Sequence, residues 1–153
     1  MSASLSGLRR AVPADLGPVV ALQQAAYAAN RIVLGVEPLP LKADYAAILR
    51  DDEVWLAEDA NGLTGVLVLQ PRTDDLLIWS VAIDPRAQGT KLGNVLLGAA
   101  EDRARQLGRP IVRLYTGQKL TRNVAWYSRH GYLVERVEAL ADRTAVHMMK
   151  PLG

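Results

Sequence analysis

The sequence predicts a mixed α/β fold in one domain spanning residues 1–153, a sheet flanked by helices. Three observations carry this. Leu76 to Ile83 is an apolar run with Ile, Val and Trp, broken by Asp84-Pro85, after which apolar residues recur at helical spacing through Leu92, Val95, Leu96, Ala99, Ala100 and Leu107. Asp59-Ala60-Asn61-Gly62 sits between two apolar runs, a tight-turn signal for a hairpin. The remaining segments alternate between the two periodicities in the order β-α-α-β-β-β-α-β-α-β-β.

The elements follow in order. Leu8 to Val12 reads as a short strand ended by Pro13. Ala14 to Ala29 carries Leu16, Val19, Leu22 and Ala26 on one helical stripe, with Asp15 and Pro18 suited to its first turn. Asn30 to Lys42, with Gly35, Pro38 and Pro40, reads as a long loop, and loops of that length are often functional. Ala43 to Arg50 is a short second helix. Val54 to Glu58 and Leu63 to Gln70 form the hairpin. After the strand from Leu76 and the helix from Leu92, Gly108 is the expected left-handed stop, with Arg103, Arg105 and Arg109 near the negative helix end. Pro110 to Tyr115 is a strand, Asn123 to His130 a two-turn helix closed by Gly131, and Tyr132 to Glu138 and Thr144 to Met149 are the last strands.

Composition narrows the chemistry. Half of the residues are apolar, which suits a real hydrophobic core at a length of 153. A formal net charge of +2 does not point to nucleic acid. The chain has no cysteine, so disulfides, thiolate metal sites and a cysteine nucleophile are excluded. Two histidines, His130 and His147, make a histidine metal site unexpected. Met1 to Gly7 lacks an apolar signal core, and no apolar run reaches the roughly 18 residues of a membrane span. The expectation is a soluble, cytoplasmic protein.

Two constellations stand out. Gln88-Gly89-Thr90-Lys91-Leu92-Gly93 lies at a strand-to-helix junction, where the free N–H groups of a first helical turn and the helix dipole favour an anion. It matches neither the P-loop nor the dinucleotide pattern, and its glycines equally suit a plain tight turn. Asn123 and Tyr127 are four residues apart and share a helix face ahead of Gly131-Tyr132. A phenol can donate a proton, and an amide can donate and accept. The same residues also suit a core tyrosine and a helix cap.

Together the segments V-A-I-D-P-R-A-Q-G-T-K-L-G-N-V-L-L and N-V-A-W-Y-S-R-H-G-Y resemble the two characteristic motifs of the GNAT superfamily of acyl-CoA N-acyltransferases. Gln88 and Gly93 take the first and last positions of its Gln/Arg-x-x-Gly-x-Gly/Ala core, and Tyr132 stands where Phe is common. The resemblance implies a mixed, mostly antiparallel twisted sheet and direct transfer of an acetyl group from acetyl-CoA to a primary amine, with no metal. It implies that Val81 and Ile83 hold the pantetheine arm by backbone bonds while the strand Ile111 to Tyr115 splays away. The pyrophosphate is expected on Gln88, Gly89, Thr90, Lys91, Leu92 and Gly93, with Asn94 in the first turn. Asn123 is expected beside the pantetheine, and Tyr127 as cofactor contact and general acid. Glu37, Asp75 and Ser80, the last through water, are candidates for the base. Lys91 replaces the middle glycine of the core. It is expected to take a helical φ, which needs no glycine, with its amide still facing phosphate.

The acceptor is expected to be a small-molecule or peptide amine, and the loop Asn30 to Lys42 is expected to shape its pocket. Neither nucleic acid nor membrane is an expected partner, and a homodimer stays open. The alternative on the same fold is a non-catalytic acyl-CoA-binding regulatory module.

Overall fold

The chain is organised around a seven-stranded sheet of order β1-β2-β3-β4-β5-β7-β6 in a computed structural model that describes Leu5 and residues 7–153. Most of the segment Met1 to Gly7, read above for a signal core, lies outside the described residues. The strands are β1 (Arg9–Arg10), β2 (Glu53–Asp59), β3 (Gly62–Pro71), β4 (Leu76–Ile83), β5 (Ile111–Gly117), β6 (Leu133–Ala139) and β7 (Thr144–Pro151). The helices are α1 (Leu16–Leu34), α2 (Tyr45–Asp51), α3 (Leu92–Gln106) and α4 (Thr121–Arg129). All pairings are antiparallel except β4 with β5. This is the mixed, mostly antiparallel α/β architecture that the resemblance implies.

Alternation along the central strands builds two cores. Leu67 and Leu69 of β3 face α3, packing with Leu96, Ala100 and Tyr132. Val66 and Val68 face the other way, onto Val19 and Leu22 of α1 and Tyr45 of α2. The Asp59 to Gly62 turn closes the hairpin as expected: Asn61 N–H bonds Asp59 Oδ1 at 2.8 Å, and Gly62 supplies a φ of 118°. Gly108 stops α3 in the left-handed region, also as expected.

Two elements differ from expectation. The first strand shrinks to Arg9–Arg10, paired with Trp55 and Leu56. Helix α1 runs through Leu34, five residues past its expected end, because no breaker interrupts Asn30 to Leu34 before Gly35. That glycine caps the helix at φ 72°, its N–H bonded to Arg31 O. Ile32 and Val33 thereby point outward and are exposed.

One irregularity positions the site. Opposite the Val68/Leu69 step of β3 the register shifts, so that Leu69 faces Ile78 and Val68 faces Ser80. Trp79 is the extra, bulged residue. Before it, Leu76 and Ile78 face the α3 core; after it, Val81 and Ile83 do. Pairing with β5 stops at the same place: Leu76, Leu77 and Ile78 pair with Val112, Arg113 and Leu114, and nothing beyond does. The two parallel strands part from Trp79 and Tyr115 onward.

Candidate acyl-CoA and acceptor site

The parting strands open a cavity of about 540 Å³. Its walls come from both strands, the N-terminus of α3, the inner face of α4, the end of α1 and the β6–β7 turn. On the β4 side, the main-chain groups of Trp79 to Ile83 that face β5 have no ladder partner there. An extended ligand can add to such an edge as a strand would.

At one end of the cavity, the chain turns from β4 into α3. Asp84 N–H bonds Thr64 O, and Asp84 Oδ1 accepts from Arg86 N–H. The Arg86 guanidinium ties this turn to Asp59 at 2.8 Å and to the carbonyls of Gly62 and Leu63. Among the described residues, the N–H groups of Gly89, Thr90, Lys91, Leu92 and Gly93 donate to no backbone or side-chain acceptor. They form a rank of unspent donors at the positive end of a four-turn helix. Gly89 holds φ 82° in open space. At Gly93 a Cβ would meet Trp126 Cζ2 at 3.1 Å and Ile83 Cδ1 at 3.3 Å, so α3 needs glycine there to lie against α4.

Lys91 corrects an expectation. It is not helical but left-handed, φ 66° and ψ 13°, the one non-glycine residue with positive φ among those described. The middle position of this motif therefore asks for the conformation that glycine takes freely, and lysine holds it at a cost of about 1–3 kcal/mol. Asn94 stands in the first turn of α3, as expected. Its N–H is spent on Lys91 O at 3.1 Å, and its Oδ1 lies 3.1 Å from His130 Nε2.

Tyr127 stands on the α4 wall of the cavity. Tyr127 packs edge-on against Tyr132, centroids 5.8 Å apart, and against Trp126 at 4.9 Å. Its hydroxyl has no hydrogen-bond partner among the described residues. Burial, with a lesser push from Tyr27, raises its pKa above the ordinary phenol value, so it keeps its proton at neutral pH. Tyr132 is anchored through its hydroxyl to Glu101 Oε2 at 3.2 Å, and Lys150 Nζ holds the other oxygen of that carboxylate at 2.9 Å. The side chain of Asn123 opens on the same cavity with no bonded partner among the described residues.

Of the residues expected at the site, Val81, Ile83, Gln88, Gly89, Lys91, Leu92, Gly93, Asn94, Asn123 and Tyr127 all line this cavity. Thr90 does not; its hydroxyl donates back to Ala87 O and braces the loop. Ser80 lines the cavity, its Oγ 2.9 Å from Tyr27 Oη and 3.3 Å from Gln23 Nε2. Asp75 does not: it is buried at the opposite end of β4 between Arg72, at 2.6 Å, and Arg113, at 2.8 Å. Glu37 is paired with Arg31 at 2.9 Å and lies outside the lining. Of the expected acceptor loop, Asn30, Leu34, Pro38, Leu39 and Pro40 reach the cavity.

Tyr27, Trp79, Tyr115 and Arg143 also line it and were not singled out from the sequence. For Tyr27 a signal existed, because Gln23 and Tyr27 stand four apart beside the apolar stripe of α1.

Residues 20–132 match the Acetyltransferase (GNAT) family. A stretch of 66 residues is 38% identical to a mycothiol acetyltransferase of Sanguibacter keddieii, covering 43% of this chain and 21% of that protein, so the match spans about a fifth of the curated relative. Among solved structures, the ribosomal-protein-S18-alanine N-acetyltransferase of Escherichia coli superposes with a TM-score of 0.80 at 18% identity, covering 95% of this chain and 93% of the other. The PaiA N-acetyltransferase of Thermoplasma acidophilum, solved with coenzyme A, gives 0.78 at 17% identity, covering 94% and 97%. These two likenesses speak for the fold. With a family match over most of its length and with both motif segments on one cavity, the chain belongs to the GNAT acetyltransferase family.

Proposed function

We propose that the protein transfers an acetyl group from acetyl-CoA directly to a primary amine, with Tyr127 as general acid. The observation that carries this is one continuous cavity, running from the unspent amides of Gly89 to Gly93 along the unpaired edge of β4 to the unpartnered Tyr127 hydroxyl. The donor set fits a nucleotide thioester: converging N–H groups and the Lys91 charge suit a pyrophosphate, and a free strand edge suits the amides of a pantetheine arm. The Thermoplasma acidophilum structure with coenzyme A supports that donor.

The chemistry asked of these residues is modest. The amine nitrogen forms a bond to the thioester carbon, the carbon–sulfur bond breaks, and the sulfur leaves with the electron pair. Tyr127 gives its proton to that sulfur. The proton lost by the amine passes to water held near Ser80, the one candidate for the base that faces the cavity. A main-chain N–H on the open edge of β4 polarises the carbonyl.

Release of free thiol reports turnover cleanly, since the protein has no cysteine. Tyr127→Phe is expected to lower kcat by about 10- to 10⁴-fold, the range of general acid–base help, with acetyl-CoA affinity unchanged. Unchanged turnover would remove Tyr127 from the acid role. Binding of acetyl-CoA without turnover on any amine would favour the non-catalytic acyl-CoA-binding module.

A further inference from the structure

We infer that the acceptor is a small amine carrying a carboxylate and an apolar side chain, and that Arg143 reads the carboxylate. This rests on the acetyl-transfer reading above. Arg143 sits in the β6–β7 turn, with its side chain only 8% exposed. The turn lies at the parted end of β5, since Gln118 N–H bonds Thr144 O and Gly117 pairs with Ala145. That places the turn beside the parted end of the two strands, and Arg143 lines the cavity.

The guanidinium is only partly satisfied. Its Nε and Nη2 each donate to Asp142 at 3.0 Å, and Asp142 is the preceding residue, half-exposed at the surface. Of its five N–H groups three remain, including both on Nη1, with no acceptor among the described residues. No fully buried side-chain nitrogen or oxygen there lacks a partner. The open N–H groups of this otherwise covered side chain therefore reach open space, and Arg143 lines both this cavity and a smaller hollow beside Gln118, Lys119 and Asp142. A guanidinium fork of this kind is suited to a carboxylate, which it can bind with two parallel hydrogen bonds.

The rest of the wall agrees. Among the described residues no Asp or Glu lines this cavity, and its other charge, Lys91, lies at the α3 end. A polyamine would find no counter-charge. The same cavity is lined by Leu34, Leu39, Leu140, Trp79 and Tyr115, which would cover an aliphatic or aromatic side chain. An apolar α-amino acid meets all three demands: a reacting amine, a carboxylate for Arg143 and a side chain for the apolar wall.

The experiment compares leucine and phenylalanine with 3-methylbutylamine and 2-phenylethylamine, their decarboxylated counterparts, and with the two amino-acid amides. Acetyl-CoA is the donor, and the proteins are the wild type, Arg143→Gln and Arg143→Lys. Thermal stabilisation by acetyl-CoA is recorded for each. The wild type is expected to favour the carboxylate-bearing amines in kcat/KM by about 10- to 100-fold, the worth of hydrogen bonds to a charged group. Arg143→Gln is expected to collapse that ratio towards one, and Arg143→Lys to leave it in between, while acetyl-CoA stabilises all three equally. The turn's main-chain bond from Leu140 N–H to Arg143 O is independent of the side chain, so the variants should fold. Equal or reversed preference in the wild type, an unchanged ratio in Arg143→Gln, or no acetylation of any carboxylate-bearing amine while acetyl-CoA still binds overturns the inference. Failure of acetyl-CoA to bind the wild type sinks the functional reading itself.

Discussion

His130 bridges the two motif segments: its Nε2 lies 3.1 Å from Asn94 Oδ1 on the first turn of α3, while its Nδ1 lies 2.8 Å from Trp126 O within its own segment. Because a carbonyl only accepts, Nδ1 carries a proton. In the neutral ring Nε2 is then an acceptor, and the pair is satisfied when Asn94 turns its amide nitrogen towards it. Trp126 reinforces the link, packing 4.9 Å from the His130 ring and closing over Gly93. The helix bearing Asn123 and Tyr127 is thus pinned to the helix bearing the unspent amides.

This predicts energetic coupling. His130→Ala and Asn94→Ala should each lower stability by about 1 kcal/mol. That corresponds to a drop of about 2–4 °C in Tm for a chain of this size. The double variant should lose less than the sum, with a coupling of at least about 0.5 kcal/mol in a double-mutant cycle. Strict additivity by urea denaturation would mean that the contact does no work in solution.

Lys91 offers a separate test of strain against charge. Lys91→Gly relieves a left-handed lysine, and the gain is partly offset by the freedom glycine adds to the unfolded chain. The expected net effect is a stabilisation of about 0.5–1 kcal/mol, read as a higher Tm. Lys91→Ala keeps the strain and should show no such rise. Both variants remove the positive charge, so both should weaken acetyl-CoA binding at low salt and less so at high salt. A Tm for Lys91→Gly at or below that of the wild type would show that the loop carries no strain.

The elements that were legible from the sequence are those whose periodicity or turn chemistry is local. The β2–β3 hairpin, the Gly108 stop and the helical spacing after Leu92 each follow from a few neighbouring residues. Gln88 to Gly93 was read at a strand-to-helix junction and lies at one, whereas the helix bearing Asn123 and Tyr127 starts at Thr121, two residues before the expected Asn123. What stayed hidden depends on the tertiary partner. The bulge at Trp79 is invisible in an uninterrupted apolar run, and so is the change of facing it causes. The left-handed φ of Lys91 could not be read, because its side chain suggests a helix residue and its neighbours impose a turn. Arg143 looks like a surface turn residue until β5 and α1 close around it. Asp75, a candidate base by position along the chain, is claimed by Arg72 and by Arg113 on the adjacent strand.

Asp75 accordingly belongs to stability. Its carboxyl is held below the usual carboxylate range, first by the hydrogen bond from Arg72 and then by Arg113 against the opposing effect of burial. Asp75→Ala leaves two guanidinium groups without their shared partner. The expected loss is about 3 kcal/mol, the low end for a broken buried pair because Arg72 is half-exposed. A lowered folded-state pKa adds stability that is present above about pH 4 and is lost as pH falls through the folded value. The variant should therefore show a flatter acid limb in stability against pH. Its kcat, measured on folded protein at neutral pH, should stay within about two-fold, and a large loss would return Asp75 to the list of bases.

The alkaline limb has the opposite sign and a different origin. Tyr27, Tyr45, Tyr115, Tyr127 and Tyr132 all have phenols raised above the ordinary value of 10.0, in each case chiefly by burial. A raised folded-state pKa means that the native protein holds protons the unfolded chain releases. The stability from these groups is complete below about pH 10 and declines as pH rises beyond it towards the folded values. Urea midpoints should be level from pH 8 to pH 9.5 and fall between pH 10 and pH 12. The tyrosinate absorbance near 295 nm should appear together with unfolding rather than before it. Tyr127→Phe should make the fall shallower, because phenylalanine has no proton to lose. If a full tyrosinate signal develops in protein that is still folded, these hydroxyls are reached by solvent. Tyr127 would then lose its standing as a phenol kept protonated for the leaving thiolate.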